Sequence, residues 1–169
     1  MRIVDLTQAT SRKAVAESNV PVVVRSVDPT HLIPLDRLVT LATVVALPSP
    51  ATPGTIERSD LSKIGVADIG GVILHTGWFD RHIAGSSEQS PVLTIDAAAY
   101  LLEGGVRTIA SDFPISDDAA DMLLHNNCVL VHCLTNIGEL SKKIVRLVAL
   151  PLKFEDTFSA DARVVAIEE

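Results

Sequence analysis

Residues 111–136 read SDFPISDDAADMLLHNNCVLVHCLTN and predict a turn, a short helix, a second turn and a buried strand. Ser116 is a residue type that caps helices, and two aspartates follow it in the first helical turn, where the helix dipole favours negative charge. The pair Asn126-Asn127 predicts the turn into the apolar run Cys128–Leu134. A short helix that leads directly into a buried strand is typical of an α/β protein.

The sequence on either side adds further short elements. Thr94 is a second helix-capping residue, and an apolar stripe follows it at helical spacing until Gly104-Gly105 ends the helix. A helical turn is predicted at Ser59–Ile64 and a polar surface loop at Phe79–Ser90. The predicted strands are Met1–Leu6, Pro21–Val27, Leu38–Leu47, Val72–Trp78, Val106–Ser111, Cys128–Leu134, Ile144–Leu152 and Arg163–Ile167.

Composition indicates how these elements pack. Hydrophobic residues make up 47% of the chain and aromatic residues only 4%, so the core consists mainly of Val, Leu, Ile and Ala. Such a supply suits a buried sheet that is covered by helices. Because strands and helices do not alternate strictly, a mixed sheet is favoured over a regular doubly wound one. We therefore predict one α/β domain, residues 1–169, with a mixed sheet and flanking helices.

Charge and cysteine content exclude several classes of partner. The 14 basic and 21 acidic residues give a net charge of -7, which opposes binding to nucleic acids and anionic membranes. No apolar stretch approaches the roughly 20 residues that span a bilayer, and the first residues do not resemble a secretion signal. Cys128 and Cys133 would lie about 16 Å apart on an extended strand, too far for a disulfide. We expect a reduced, cytoplasmic protein that binds neither nucleic acid nor a membrane.

Five stretches of the chain occur in an order that is known from one protein family. They are IPLDRLV at Ile33–Val39, GGVILHTGW at Gly70–Trp78, LTIDAAAYLLEGGVRTIASDFPI at Leu93–Ile115, CVLVHCLTNIGEL at Cys128–Leu140 and LPLKFEDTFSADARVVAI at Leu150–Ile167. Together they resemble the putative cyclase family, which includes bacterial kynurenine formamidase. The resemblance implies a swivelling β/β/α fold, a homo-oligomer that is a dimer or tetramer, and hydrolysis or cyclisation at a divalent metal.

The metal ligands of that family are missing from their usual places. The signature His-x-Gly-Thr-His-x-Asp-x-Pro-x-His should precede IPLDRLV, where the chain reads VVVRSVDPTHL with the single histidine His31. The family's two other ligands, a histidine in the helix and a glutamate in the next strand, correspond to Ala120 and His132. A hydrolytic zinc or manganese site needs about three converging ligands. We therefore predict a degenerate metal site, with no metal and no other cofactor.

His132 is the central candidate among the remaining polar residues. If side chains alternate along its strand, His132 shares one face with every second residue of Cys128–Leu134 and replaces a family carboxylate. An imidazole there could act as a general base near neutral pH. The competing interpretation is a histidine that is hydrogen-bonded in the core or at a subunit interface, and it is favoured because no paired acid is evident.

Four more residues are candidates for the site. His75 and Thr76 lie at the end of a predicted buried strand, where α/β proteins often place binding groups. Asp112 could orient a base or cap a turn. Trp78 could form one wall of a substrate pocket or anchor the packing. We predict His132, His75 and Asp112 as catalytic residues, and Thr76 and Trp78 as substrate-binding residues.

The leading functional hypothesis is metal-independent cyclisation, dehydration or isomerisation of a small carbonyl substrate. In this hypothesis His132 is the base and Asp112 is an orienting group. His75 or Thr76 donates a hydrogen bond to the carbonyl oxygen.

Two alternatives remain open. The first is a non-catalytic paralogue that serves as a structural or regulatory subunit, or as a small-molecule binder. The second is a metal-dependent amide hydrolase of the arylformamidase type, which would require ligands such as His31, Asp28 or His132.

Overall fold

The computed structural model describes residues 1–9, 23–47, 54–63 and 70–169, which form ten strands and five α-helices. The strands are β1 (Arg2–Asp5), β2 (Val23–Arg25), β3 (Val39–Ala46), β4 (Thr55–Ile56), β5 (Gly71–His75), β6 (Val92–Leu93), β7 (Thr108–Ser111), β8 (Val129–His132), β9 (Ile144–Pro151) and β10 (Ser159–Glu168). The helices are α1 (Leu35–Leu38), α2 (Arg58–Ser62), α3 (Trp78–Ile83), α4 (Ile95–Glu103) and α5 (Asp117–His125), and short 3-10 helices lie at Thr30–Leu32 and Ile137–Glu139. Within these ranges no helix has the length and apolar character that a membrane crossing needs.

Seven strands form a closed barrel in the order β10-β2-β8-β7-β5-β3-β9. The strands β3, β5, β7 and β8 run parallel, and β2 and β9 flank them in the antiparallel direction. Strand β10 closes the ring because Ser159–Asp161 pair with β2 while Ala162–Ile167 pair with β9. Strand β1 pairs with the last residues of β10. The structure confirms the predicted mixed sheet and flanking helices, and adds a closure that the sequence did not predict.

Alternating side chains divide the apolar residues into two cores. The interior core fills the barrel and includes Val129 and Val131 of β8. The outer core lies between the barrel wall and the helices, and includes Leu130 of β8 together with residues of α4 and α5. Both faces of the parallel strands are therefore buried, which explains why their sequences are almost continuously apolar.

Residues 111–136, with which the sequence analysis began, fold largely as predicted. Helix α5 has the predicted bounds, Asp117–His125. Ser116 occupies the N-cap position but does not cap the helix, because its hydroxyl donates a hydrogen bond to Leu93 O at 3.3 Å. The predicted cap at Thr94 is confirmed, since its hydroxyl accepts a hydrogen bond from Ala97 N at 3.2 Å.

The strand β5 ends earlier than the sequence predicts. The strand predicted at Val72–Trp78 ends at His75, because Gly77 adopts a left-handed conformation (φ 74) that redirects the chain. Trp78 is then the first residue of helix α3. The segment Phe79–Ser90, predicted as a loop, accordingly begins as a helix.

Strand β2 is described from Val23 onward, and the first two residues of the predicted strand Pro21–Val27 lie outside the described residues. It runs antiparallel to β8, with Val23 opposite His132. Val24 belongs to the interior core, so by alternation Arg25 lies on the outward side of β2. Arg25 and His132 therefore share the outer side of the barrel wall.

A left-handed residue, Cys133 (φ 61), interrupts the side-chain alternation after β8. Leu130 belongs to the outer core, whereas Leu134 enters the interior core. The predicted common face of His132 and Leu134 is therefore wrong. A non-glycine residue in this conformation costs free energy, so the surrounding packing must enforce it.

Candidate functional site

The carboxyl ends of the parallel strands carry the polar residues that the sequence singles out. His75 ends β5, Asp112 directly follows β7, and His132 ends β8. In α/β sheets ligands commonly bind at this edge of the parallel strands. This end of the barrel is the candidate site, and it extends over both faces of the strands.

Asp112 is buried and joins the end of β7 to the turn that follows β5. Its carboxylate accepts hydrogen bonds from the backbone N–H of Thr76 at 2.9 Å, from the Thr76 hydroxyl at 2.9 Å, and from the backbone N–H of Gly77. Burial raises the pKa of Asp112, and the hydrogen bonds from Thr76 and Gly77 oppose that rise. These hydrogen bonds agree with the turn-capping role of Asp112, one of the two roles that the sequence suggests.

His75 lies beside this carboxylate. Its Nε2 is 3.9 Å from Asp112 Oδ2, and its side chain is 23% exposed. By alternation it lies on the inward side of β5, where Ile73 belongs to the interior core. The backbone of Gly138 passes close to the ring, because a Cβ at that position would lie 3.5 Å from His75 Cε1. His75 is thus an accessible imidazole next to a buried acid.

Thr76 and Trp78 have partners within the protein that account for their polar groups. The Thr76 hydroxyl donates to Asp112 and accepts a hydrogen bond from the Trp78 backbone N–H at 3.2 Å. The indole Nε1 of Trp78 donates to Glu88 O at 3.0 Å, and its ring stacks on His82 with centroids 4.7 Å apart. Trp78 belongs to the outer core, so its geometry agrees with the packing role considered for it.

His132 is buried on the outward side of β8, with 6% of its surface exposed. Its Nδ1 accepts a hydrogen bond from Ile115 N at 3.1 Å, so the neutral ring carries its proton on Nε2. Burial, with a further contribution from the charge of Arg25, lowers the pKa of His132 to about 4. Among the described residues no group accepts a hydrogen bond from Nε2. At neutral pH His132 is therefore a fixed hydrogen-bond donor.

This geometry opposes the base role predicted for His132, although that role stays a prediction. The lone pair of Nδ1 is directed at the Ile115 N–H, and Nε2 already holds a proton. A group with so low a pKa is also a poor proton acceptor near neutral pH. The contacts agree with the competing interpretation, a hydrogen-bonded histidine in the core.

The predicted site residues form two groups. His75, Thr76 and Asp112 lie together where β5 and β7 end. His132 and Trp78 lie on the outer side of the barrel wall. Because His75 and His132 point to opposite faces of the sheet, the described residues do not surround one substrate with all five side chains.

Arg25 is the neighbour of His132 that the sequence reasoning missed. Its positive charge acts on the imidazole, and no carboxylate of the described ranges forms an ion pair with it. A signal for it exists in the sequence. If the final Pro-x-His of the family signature is aligned with Pro29-Thr30-His31, Arg25 falls at the second histidine of that signature. Arg25 then stands where the resemblance to the family implies a histidine.

The described residues do not fit a metal ion of the kind that the family uses. No three His, Cys, Asp or Glu side chains come together in this part of the chain. Ala120, at the position of the helix ligand, is buried in the outer core and has no donor atom. The charge of Arg25 would in addition repel a divalent cation at His132. The hypothesis of a hydrolase with ligands such as His31 and Asp28 has no support here.

Chelation provides a direct check of this conclusion. Treatment of the purified protein with EDTA is expected to leave its melting temperature unchanged within about 1 °C, because removing a ligand changes stability only where that ligand binds the folded state. Elemental analysis by mass spectrometry should find at most about 0.1 zinc or manganese per chain. One metal per chain, together with a lower melting temperature after chelation, would contradict the prediction.

Comparison with known proteins identifies a family and a shared fold. Residues 7–131 match a family described as "Putative cyclase". A "potential metal-dependent hydrolase with cyclase activity" has a similar structure, with TM-score 0.75, 18% identity and 99% of each chain covered. Isatin hydrolase A from Ralstonia solanacearum has TM-score 0.78 at 16% identity, over 99% of this chain and 92% of that chain. No curated protein sequence matches. Identities this low show a common fold and leave the reaction open.

Proposed function

The chain belongs to the cyclase family, and from that premise we propose that it binds a small carbonyl compound and promotes its cyclisation, dehydration or isomerisation without a metal. In this proposal the neutral His132 donates its Nε2–H to the carbonyl oxygen. The family scaffold provides the barrel and helices, and the outer side of β2 and β8 provides the polar groups. His132 thus takes a donor role in place of the base role predicted from sequence.

The unpartnered Nε2–H of His132 is the observation that carries this proposal. Within the described residues this buried donor lacks an acceptor. Leaving a buried donor unsatisfied costs about 1–3 kcal/mol, and a ligand oxygen would remove that cost. The hydrogen bond from Ile115 N orients the ring before any ligand arrives. Such pre-organisation is what a group needs in order to stabilise charge that develops on an oxygen.

A neutral imidazole suits this chemistry. When a bond to hydrogen breaks at the carbon next to a carbonyl group, electron density moves onto the carbonyl oxygen, and a donor aimed at that oxygen stabilises it. His132 keeps its proton during this step, in agreement with its low pKa of about 4. The charge of Arg25 lies on the same side and favours the same electron shift. The proton that leaves carbon passes to solvent, since His75 lies on the opposite face of the sheet from His132.

A small-molecule binder without turnover is the second candidate function, and a different observation favours it. No acceptor among the described side chains, and hence no carboxylate or second imidazole, lies within hydrogen-bond distance of His132 Nε2. A carbonyl compound held there would have a donor on its oxygen and no adjacent base. The two functions share the His132 donor and differ only in turnover.

Hydrogen–deuterium exchange at carbon separates these functions. The protein is incubated in D₂O with keto acids, cyclic ketones and isatin, and NMR follows exchange next to the carbonyl and the formation or opening of rings. We expect His132→Leu, which removes the donor, to lower the rate about 10²- to 10³-fold. His132→Gln keeps an acceptor for Ile115 N and an N–H donor, and should retain an intermediate rate. The control is His125→Gln, at an exposed histidine of α5.

Each result has a clear consequence. Saturable binding without exchange or ring chemistry would establish the binder and refute the enzyme. An equal rate in wild type and His132→Leu would remove His132 from the mechanism. If no carbonyl compound binds, both candidate functions are wrong.

A further inference from the structure

The opposite end of the barrel contains a cleft lined by three arginines, and we propose that it binds a small anion with phosphate or carboxylate groups. The cleft has a volume of about 380 Å³ and lies at the amino ends of β3, β5 and β7. The residues that matter for its chemistry are Arg37, Arg107, Arg146, Asp36, Gly70 and Thr108. Since His75 and His132 lie at the carboxyl ends of their strands, this is a second site, and it does not depend on the function proposed above.

The cleft is rich in positive charge, whereas the whole protein is acidic. The chain has a net charge of -7, yet three arginines and one acidic residue, Asp36, line this cleft. Arg146 is paired with Glu169 at 3.1 Å. Arg37 and Arg107 form no ion pair with a carboxylate of the described ranges. Two cationic residues that have no ion-pair partner within the described ranges make the cleft attractive to an anion.

Backbone carbonyls hold Arg37 and Arg107 in place. Arg37 donates one hydrogen bond to Asn127 O at 2.5 Å, and Arg107 donates one to Val106 O at 2.8 Å. A guanidinium has five N–H donors in a rigid plane, so each retains donors for a ligand. The Thr108 hydroxyl donates to Arg37 O at 2.8 Å and connects the two sides of the cleft. The arginine positions are thus set before a ligand binds.

A second observation shows that the charges of Arg37 and Arg107 act on one buried group. Burial raises the pKa of the Cys128 thiol to about 11, and the charges of Arg107 and Arg37 both oppose that rise. Both guanidinium groups therefore lie near the same buried sulfur. Paired guanidinium groups bind carboxylates and phosphates through parallel hydrogen bonds, and the volume of the cleft suits a small molecule.

Calorimetric titration with inorganic phosphate, and separately with malonate, tests the site at about 0.15 M sodium chloride, where weak surface attraction is screened. We expect a dissociation constant of about 1 mM or lower for at least one of them. Arg37→Gln and Arg107→Gln should each weaken binding at least about tenfold. Asp36→Asn removes the opposing charge and should strengthen binding about two- to fivefold. The control is Arg163→Gln, at an exposed arginine that pairs with Asp5 and lies outside the cleft.

The two probes also distinguish the class of ligand. Binding of phosphate alone indicates a phosphorylated ligand, binding of malonate alone indicates a carboxylate ligand, and binding of both indicates a general anion site. Dissociation constants above about 1 mM for both probes overturn the proposal, as does undiminished binding in Arg107→Gln. If the arginine variants fold poorly by circular dichroism, the exposed Asp36→Asn decides: stronger binding supports the site, and unchanged binding overturns it.

Discussion

Replacing Asp112 by Asn is expected to lower the free energy of unfolding by roughly 3 to 5 kcal/mol, because a buried acceptor of several hydrogen bonds becomes partly a donor. The Asp112 carboxylate accepts from two backbone N–H groups, those of Thr76 and Gly77, and from the Thr76 hydroxyl. An amide in its place would turn an NH₂ group towards at least one of these donors. The loss is large because the site is buried, so water does not replace the lost hydrogen bonds.

Thermal or urea denaturation measures this effect. For a chain of this length the change corresponds to a melting temperature lower by about 10 °C. Asp156→Asn, at an exposed position in the loop before β10, is the matched control and should stay within about 0.5 kcal/mol of wild type. Equal stability of Asp112→Asn and wild type would show that the carboxylate is not what holds the β5 and β7 ends together. The variant should also displace His75, whose Nε2 lies 3.9 Å from Asp112.

Acidification is expected to destabilise the wild type through His132. The pKa of His132 is about 4 in the folded protein, against an ordinary value of 6.5. Between these values the unfolded chain binds a proton that the folded protein does not, so stability falls as pH falls. The contribution is intact above about pH 6.5 and decreases by about 3 kcal/mol as the pH drops to about 4. His132 is buried, so solvent screening reduces this figure little.

The variant His132→Gln isolates this contribution, since other acidic groups also titrate in the same range. Gln stays neutral and its amide oxygen can accept the hydrogen bond from Ile115 N. Urea denaturation from pH 7.5 to pH 4 measures the unfolding free energy of both proteins. Relative to the variant, the wild type should lose about 3 kcal/mol over this range. His125→Gln, at an exposed histidine, should show almost no slope relative to wild type. If the difference in unfolding free energy between wild type and His132→Gln does not change with pH, His132 is solvated or paired.

Several features of this protein follow from local sequence. Helix α5 was predicted at Asp117–His125 and is found there, because first-turn aspartates, an apolar stripe and an Asn-Asn turn all act within a few residues. The β-branched run Leu38–Leu47 predicted the strand observed at Val39–Ala46. The order of short motifs indicated the cyclase family, and the match over residues 7–131 confirms it. The implied homo-oligomer and the cytoplasmic location stay predictions.

The roles of the site residues depended on contacts between distant segments. Alternation along β8 suggested a pocket-facing base at His132, yet its ring accepts a hydrogen bond from Ile115 N, seventeen residues away in sequence. Asp112 and Thr76 are separated by thirty-six residues and meet only because β7 lies next to β5. Arg25 and His132 lie on the same side of the barrel wall only because β2 pairs with β8.

The sequence by itself therefore determined most of the strands, the helices α4 and α5, the mixed α/β class and the family, because each depends on residue type and short spacing. Only the tertiary structure decided that the sheet closes into a barrel, that His132 is a neutral donor beside Arg25, and that Arg37 and Arg107 face one cleft. Burial and hydrogen-bond partners set protonation and role, and both arise from packing between segments far apart in the chain.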